Sequence, residues 1–270
     1  MRVLVTNDDG IDAPGILALA RAVQAEGYET IVAAPLSDQS GCGASFGRIN
    51  PNEPIHLKPV QLPGLDVEAY ALDGPPAQAV VLARMGAFGT VFDPPDLVVS
   101  GVNPGLNTGP SLLHSGTLGA ALTAGNFGLS ALAVSVALPP VRGRPRFAVA
   151  AAVAAAALAW LADAPPGTVL NLNVPDRDHD ELRGVRWAVP SPISNITAAI
   201  VDATDGRLRV EVTDNDGQAH LPGTDTWTVD EGYVAVTSVV GPRATQEVPA
   251  PAALERSLAA RRRGTPVAGE

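Results

Sequence analysis

One cysteine, Cys42, and one lysine, Lys58, are all that this chain of 270 residues offers of either type. A single cysteine excludes an intrachain disulfide framework and a Cys-rich zinc site, and it suits a reducing compartment. A single lysine excludes any chemistry that needs an essential lysine elsewhere. The four histidines, His56, His114, His179 and His220, are scattered, with no pair at metal-binding helical spacing. Only His114 sits beside a polar motif. Basic charge is also scarce. Lys plus Arg is 18 against 28 Asp plus Glu, a formal net charge of −10. That balance disfavours gripping a nucleic-acid backbone by counterion release, so no stable nucleic-acid complex is expected. Long apolar runs are missing too. Residues 147–162, "FAVAAAVAAAALAWLA", fall short of the ~20 needed to span a bilayer and are mostly alanine, so they read as a buried helix. The opening "MRVLVT" lacks the basic-then-apolar layout of a signal peptide, and a cytoplasmic location without membrane contact is expected. An Asn-Ile-Thr sequon at Asn195 then carries no weight.

What the chain does have is a large apolar fraction, 46%, enough for a sizeable core. Val3, Leu4 and Val5 make a short run apolar on both faces, as in a buried parallel strand. Ile16, Leu19, Ala20 and Val23 then recur at helical spacing, with Pro14 at the start, Asp12 or Ala13 as cap and Gly27 as stop. "TIVAAP" (30–35) reads as a second strand. "IHLKPV" and "VEAYAL" suggest a short hairpin that interrupts the alternation. Helices at 75–85, 115–128 and 147–162 alternate with strands at 96–103, 131–138 and 168–175. This predicts an α/β fold, a Rossmann-like doubly wound, mostly parallel sheet. From about residue 183 to 240 the pattern is of alternating strands with no convincing helix, a β-rich C-terminal extension. The expected organisation is one α/β domain over 1–250, and a mobile tail over 251–270 that carries "RRRG".

In an open parallel sheet, ligands bind outside the carboxyl ends of the strands. Three loops at that edge carry polar oxygens: "NDDG" after the first strand, "SDQSG" (37–41) after the second and "SGVNPGLNTG" (100–109) after a later one. They supply Asp8, Asp9, Ser40 and Asn103. Each has a bland reading. Asp-Asp-Gly is commonly a turn or helix cap, Ser40 a loop hydroxyl, and Asn103 before Pro104 a turn residue. Together they make an all-oxygen donor set that suits a hard divalent cation, Mg²⁺ or Mn²⁺ first and Ca²⁺ next, rather than zinc. A cation between Asp8 and Asp9 would cancel their repulsion. Gly10, Gly41 and Gly101 would let the backbone turn tightly beside it.

The same edge offers an anion site. "NPGLNTGPSLLHSGT" runs into a helix N-terminus, where free N–H groups favour a phosphate. Asn107, Ser115, Gly116 and Thr117 are the candidate phosphate contacts, though "SGTLG" is first of all a helix start capped by Ser115. A phosphate beside a divalent cation suggests phosphomonoester hydrolysis, with Asp8 and Asp9 as the catalytic pair. Other phosphate machineries fit worse. No G-x-x-x-x-G-K-[ST] occurs, and "GCGASFG" (41–47) is one residue off the dinucleotide fingerprint and follows the wrong strand. A haloacid-dehalogenase-type site needs two aspartates one residue apart and a helper lysine. Cys42, with no histidine near in sequence, reads as a small filler. A nucleotide-binding or transferase module, with the metal bridging a diphosphate, is the alternative. A non-catalytic Ca²⁺-stabilised interaction protein is another.

"VLVTNDDGIDAPGI", "SGVNPGLNTG", "HSGTLGAALTAG", "LNLNVP" and "TDTWTVDEGYVAVTSV" resemble, in order over roughly residues 1–240, segments of the stationary-phase survival protein SurE family of metal-dependent 5'/3'-nucleotidases. The resemblance implies that Asp8, Asp9, Ser40 and Asn103 bind one divalent cation per subunit. It implies hydrolysis of nucleoside 5'- and 3'-monophosphates to nucleoside and phosphate, and a homodimer or homotetramer with exchanged C-terminal β segments. The chain departs from the family where Pro75, Pro76, Ala77, Gln78 and Ala79 replace a threonine-proline-alanine-aspartate-cysteine run. A helix position often acidic in the family is Thr123 or Ala124. Base and ribose preference are left open by those departures.

Overall fold

Val3 and Val5 pack into one apolar cluster and Leu4 into another, because successive side chains of a strand point to opposite faces. In the computed structural model this strand is β1 (Arg2–Thr6), at the middle of a nine-stranded sheet. The structure describes all residues except Arg48, Pro51, 89–92, Pro140, Arg142, Asn195, 205–206, 215–219, 243–254 and 256–270. The elements that follow β1 are α1 (Pro14–Ala25), β2 (Glu29–Pro35), β3 (Leu57–Pro59), β4 (Glu68–Leu72), α2 (Pro76–Arg84) and β5 (Leu97–Pro104). A 3-10 turn (Gly109–His114) leads into α3 (Gly116–Asn126), β6 (Ser130–Val136), α4 (Phe147–Asp163) and β7 (Val169–Val174). The rest comprises β8 (Val185–Trp187), β9 (Ile196–Thr204), β10 (Arg207–Asp214), α5 (Asp225–Asp230) and β11 (Val234–Ser238).

The strand order is β3-β4-β2-β1-β5-β6-β7-β11-β8, and the six from β4 to β7 run parallel. From β1 the chain builds outward through β2 and β4, then crosses to build the other way through β5, β6 and β7. The reversal leaves a crevice between the carboxyl ends of β1 and β5, the place where doubly wound sheets bind ligands. Helices α1 and α4 cover one face through Ile16, Leu19, Ala154 and Leu158, and α2 and α3 the other through Val80, Ala83, Leu118 and Ala121. The α/β doubly wound prediction holds.

The hairpin of β3 and β4 interrupts the alternation of strands and helices as read, and it extends the sheet, because β4 also pairs in parallel with β2. Two readings change. The alanine-rich helix α4 buries only a stripe, Ala150, Ala151, Ala154, Ala155, Leu158 and Leu161, while Trp160 is exposed; alanine is small enough to leave one face in water. Beyond residue 183 a helix does occur. Six residues of "TDTWTVDEGY" form α5, and β11 and β8 return to the main sheet, antiparallel and parallel respectively to the strand each joins. Only β9 and β10 form a separate two-stranded ribbon. Residues 1–240 make one compact unit. The predicted tail, with its arginines at 261–263, lies outside the described residues save Glu255, as does Asn195 of the sequon. Among the described residues, no helix is long and apolar enough to cross a membrane.

Candidate metal and phosphate site

Asp8 and Asp9 follow directly from β1 into the crevice, and Gly10, at φ 106°, turns the chain back against β2. There the Ile11 N–H donates to Pro35 O at 2.8 Å. The loop after β2 folds over the pair, with the Gln39 N–H donating to the Asp8 carbonyl at 2.7 Å. Thus two loops far apart in sequence are stitched together at the carboxylates.

Asp8 is buried, and its Oδ1 accepts a hydrogen bond from the Thr117 hydroxyl at 2.6 Å. The backbone N–H of Thr117 also favours its charged form, so the N-terminus of α3 faces a protein carboxylate. Burial is the larger effect and pushes the Asp8 carboxyl above the ordinary aspartate range, with Asp38 adding repulsion. Asp9 has no such hydroxyl. Its Oδ2 is buried without a hydrogen-bond partner, and burial, then Asp8, then Asp38 push its pKa up to about 7. Behind the pair, Asn7 donates to Gly10 O at 3.0 Å while its own Oδ1 stays unpartnered.

Ser40 lies at the exposed rim. Its N–H and hydroxyl both donate to Asp38 Oδ1, at 2.8 and 2.6 Å, which leaves the hydroxyl oxygen with lone pairs for another partner. Asn103, on the neighbouring β5, donates through Nδ2 to Gly105 O at 2.8 Å, which leaves its amide oxygen as the side chain's acceptor. Just before it, a Cβ on Gly101 would overlap Val134 O of β6, so only glycine fits there. The structure therefore carries all four predicted cation donors at the carboxyl edge of the sheet, Asp8, Asp9 and Ser40 on the loops after β1 and β2 and Asn103 in the last residues of β5. The residues suit a hard cation: every donor is oxygen, and one buried carboxylate oxygen lacks a partner. Among the described residues no ion pair meets these carboxylates; those present lie elsewhere, on Arg2, Arg146, Arg183 and His220. Nor do three His, Cys, Asp or Glu side chains gather into a ligand cluster among the described residues, so carbonyl, hydroxyl or water oxygens would have to complete any coordination shell.

The phosphate candidates have protein partners of their own. Ser115 caps α3, accepting from the Leu118 N–H at 3.0 Å, and keeps its hydroxyl hydrogen for another acceptor. Thr117 is committed to Asp8. Gly116 begins the helix, where a first-turn N–H has no intrahelical acceptor. A Cβ there would come within 2.8 Å of Asp8 Oδ2 and 2.7 Å of Cys42 Sγ. Asn107 is buried in an amide lattice: its Nδ2 donates to Ser135 Oγ at 2.9 Å, and its carbonyl accepts from Asn171 and Asn173. One neighbour holds this loop further. Asp225, fully buried on α5, accepts from the Gly109 and Ser191 N–H groups, each at 2.9 Å.

Cys42 packs against Gly116, and burial together with Asp8 raises its thiol pKa to about 11. His114 is exposed and contributes its carbonyl, which accepts from the Gly43 N–H at 3.1 Å. Sequence reasoning missed Asp38 and Asn7. The i to i+2 spacing of Asp38 and Ser40, which favours an Asx turn, was an available signal.

The family model described as "Survival protein SurE" matches residues 3–194. The 5'-nucleotidase SurE of Methanopyrus kandleri is 37% identical over 246 residues, covering 88% of this chain and 90% of that one. That of Geobacter metallireducens is 36% identical over 243 residues, with 88% and 90% covered. Among solved structures, the SurE protein from Aquifex aeolicus superposes with a TM-score of 0.74 at 26% identity, covering 95% of this chain and 100% of that one.

Proposed function

The chain belongs to the SurE family, and from that premise we propose that it is a divalent-metal-dependent phosphatase acting on nucleoside 5'- and 3'-monophosphates. The observation that carries the reading is Asp9 Oδ2, a buried carboxylate oxygen without a partner beside Asp8 and Asp38. Such a group is costly unless something positive meets it. Asp8, Asp9, Ser40 Oγ and Asn103 Oδ1 would hold one divalent cation, Mg²⁺ or Mn²⁺ in first place. When bound, that cation polarises a phosphoryl oxygen and lowers the pKa of water.

The protein's own groups divide the remaining work. Asp8 is fixed by Thr117 and serves as the anchor. Asp9, with an oxygen not tied to the fold, orients the attacking water, takes its proton and passes it to the nucleoside oxygen as the ester P–O bond breaks. The Ser115 hydroxyl and the Gly116 N–H donate to the equatorial phosphate oxygens from the helix start, in a setting where preorganised donors stabilise developing charge. Asn107, tied to Ser135, Asn171 and Asn173, keeps that loop in place and presents its region to the phosphate.

Released phosphate, measured on chelator-stripped protein with a panel of nucleoside monophosphates and Mg²⁺, Mn²⁺, Ca²⁺ or none, tests the proposal. Metal-dependent release supports it. Binding of nucleoside diphosphates without release under any metal would replace it with a nucleotide-binding or transferase module.

We further propose a homodimer or homotetramer. Ile200, Val201, Leu208 and Val210 are exposed on the β9–β10 ribbon, and two strands alone are marginal in water. Light scattering should give at least a dimer, and Leu208→Asp should weaken it; a wild-type monomer at micromolar concentration would refute assembly.

A further inference from the structure

Asp225 is fully buried, and the chemistry proposed above gives it no task. A buried carboxyl group is costly unless hydrogen bonds meet it, so its partners show what it is for. Both of its oxygens accept, and they serve different places. Oδ1 accepts from the N–H groups of Thr226 and Ser191, each at 2.9 Å. This joins the chain leading into the β9–β10 ribbon to the chain leading out of it, as does the Asp225 N–H, which donates to Val189 O at 2.9 Å. Oδ2 reaches elsewhere. It accepts from the Gly109 N–H at 2.9 Å, across 116 residues of sequence.

Gly109 is the first residue of the 3-10 turn that ends beside Ser115. Its φ is 52°, and a Cβ there would overlap Ser191 O at 2.7 Å and crowd Ile193 O at 3.1 Å. The turn thus sits against a wall of backbone, with the Asp225 carboxyl group as its anchor. Inside the turn the Thr108 N–H donates to Ser111 Oγ at 3.1 Å, and that hydroxyl donates to Thr108 O at 2.7 Å. A turn closed in this way carries its setting to both ends, Asn107 before it and Ser115 after it. Both are phosphate candidates. Helix α5 braces the same loop a second time, since Leu106 packs against the cluster of Val229, Ala188 and Ala235.

The cation donors are held by other means. Asn103 lies in β5, in register with Ser135 of β6, and Asp8 is fixed by Thr117. Neither contact passes through Asp225.

We propose that Asp225 is a positioning residue for the substrate phosphate. Through Gly109 it sets the 107–115 segment, so phosphate affinity depends on a carboxyl group that does not itself touch the phosphate. The assignment rests on the phosphatase reading of this site. It predicts a split in which phosphate binding falls and cation binding does not.

Asp225→Asn tests this because it alters one bond. The asparagine oxygen can keep the Ser191 and Thr226 N–H groups, while its NH₂ faces the Gly109 N–H, donor against donor. The readouts are titration of inorganic phosphate into protein with Mg²⁺ present, and of Mg²⁺ alone into chelator-stripped protein. Circular dichroism checks the fold. Phosphate should bind about tenfold more weakly, the effect of one hydrogen bond, with Mg²⁺ affinity unchanged. Val23→Ala, a core truncation on α1, controls for a general loss of stability and should change neither affinity. Should Asp225→Asn not fold, Ser111→Ala must give the same split by loosening the same turn.

Unchanged phosphate affinity in a folded Asp225→Asn, or in Ser111→Ala where that variant stands in, overturns the assignment. So does an equal loss of Mg²⁺ affinity, the same phosphate loss in Val23→Ala, or a wild type that binds no phosphate. None of these readouts needs turnover, so a failure to hydrolyse AMP would sink the nucleotidase reading alone.

Discussion

The Thr117 hydroxyl donates to Asp8 Oδ1 at 2.6 Å across 109 residues of sequence, joining the start of α3 to the end of β1. Both groups are buried. A single bond therefore fixes the orientation of the carboxylate on which the proposed cation site is built.

Thr117→Val keeps the shape of the side chain and removes the donor. The hydroxyl lowers the Asp8 pKa, so its loss moves that pKa further up and leaves a buried acceptor unmet. We expect about 1–3 kcal/mol of lost stability and weaker Mg²⁺ binding, with Thr117→Ser close to wild type. Thermal melts and calorimetric titration of the three proteins check this; equal affinities in all three would count against it.

Asp9 makes the metal-free protein sensitive to alkali. Its pKa in the fold is about 7, above its ordinary value of 3.8, so the folded state holds a proton that the unfolded chain releases between those values. Stability from this group is complete below the unfolded pKa and is lost as pH rises through the folded one. The Tm of chelator-stripped protein should fall between pH 5 and pH 8, more steeply than in Asp9→Asn, and Mg²⁺ should restore it at pH 8. A wild-type slope no steeper than that of Asp9→Asn would contradict the assignment.

The Cys42 thiol, raised to about 11 by burial and by Asp8, should react slowly. At pH 8 we expect alkylation on the order of a hundredfold slower than for a free thiol with a pKa near 8.5. A divalent cation on Asp8 offsets one cause of the shift and should speed the reaction. Labelling at the rate of a free peptide thiol would show that Cys42 is neither buried nor near that charge.

The half of the site that lies along β1 was legible because burial on both faces leaves a plain mark, an apolar run stopped by "NDDG". The convergence of Ser40 and Asn103 on that edge followed from reading the sheet as parallel, which the observed order of β2, β1 and β5 bears out. The Thr117–Asp8 bond was not legible, since no spacing rule links residues so far apart. Thr117 read only as part of a helix start open to phosphate. Asn107 likewise read as a loop amide. Its partners Asn171 and Asn173 alternate along β7 and so share a face, a signal visible only once β7 lies beside the loop. Helix α5 escaped because six residues are too few to show a helical period.

Calorimetric titration of Mg²⁺ or Mn²⁺ into the chelator-stripped wild type, Asp8→Asn and Asp9→Asn, run beside phosphate release from AMP, tests the paired-carboxylate site most directly. We predict one cation per chain in the wild type, with at least tenfold weaker binding and little phosphate release in either variant, both still folded. Unchanged cation affinity and full phosphate release in Asp8→Asn and Asp9→Asn would contradict it.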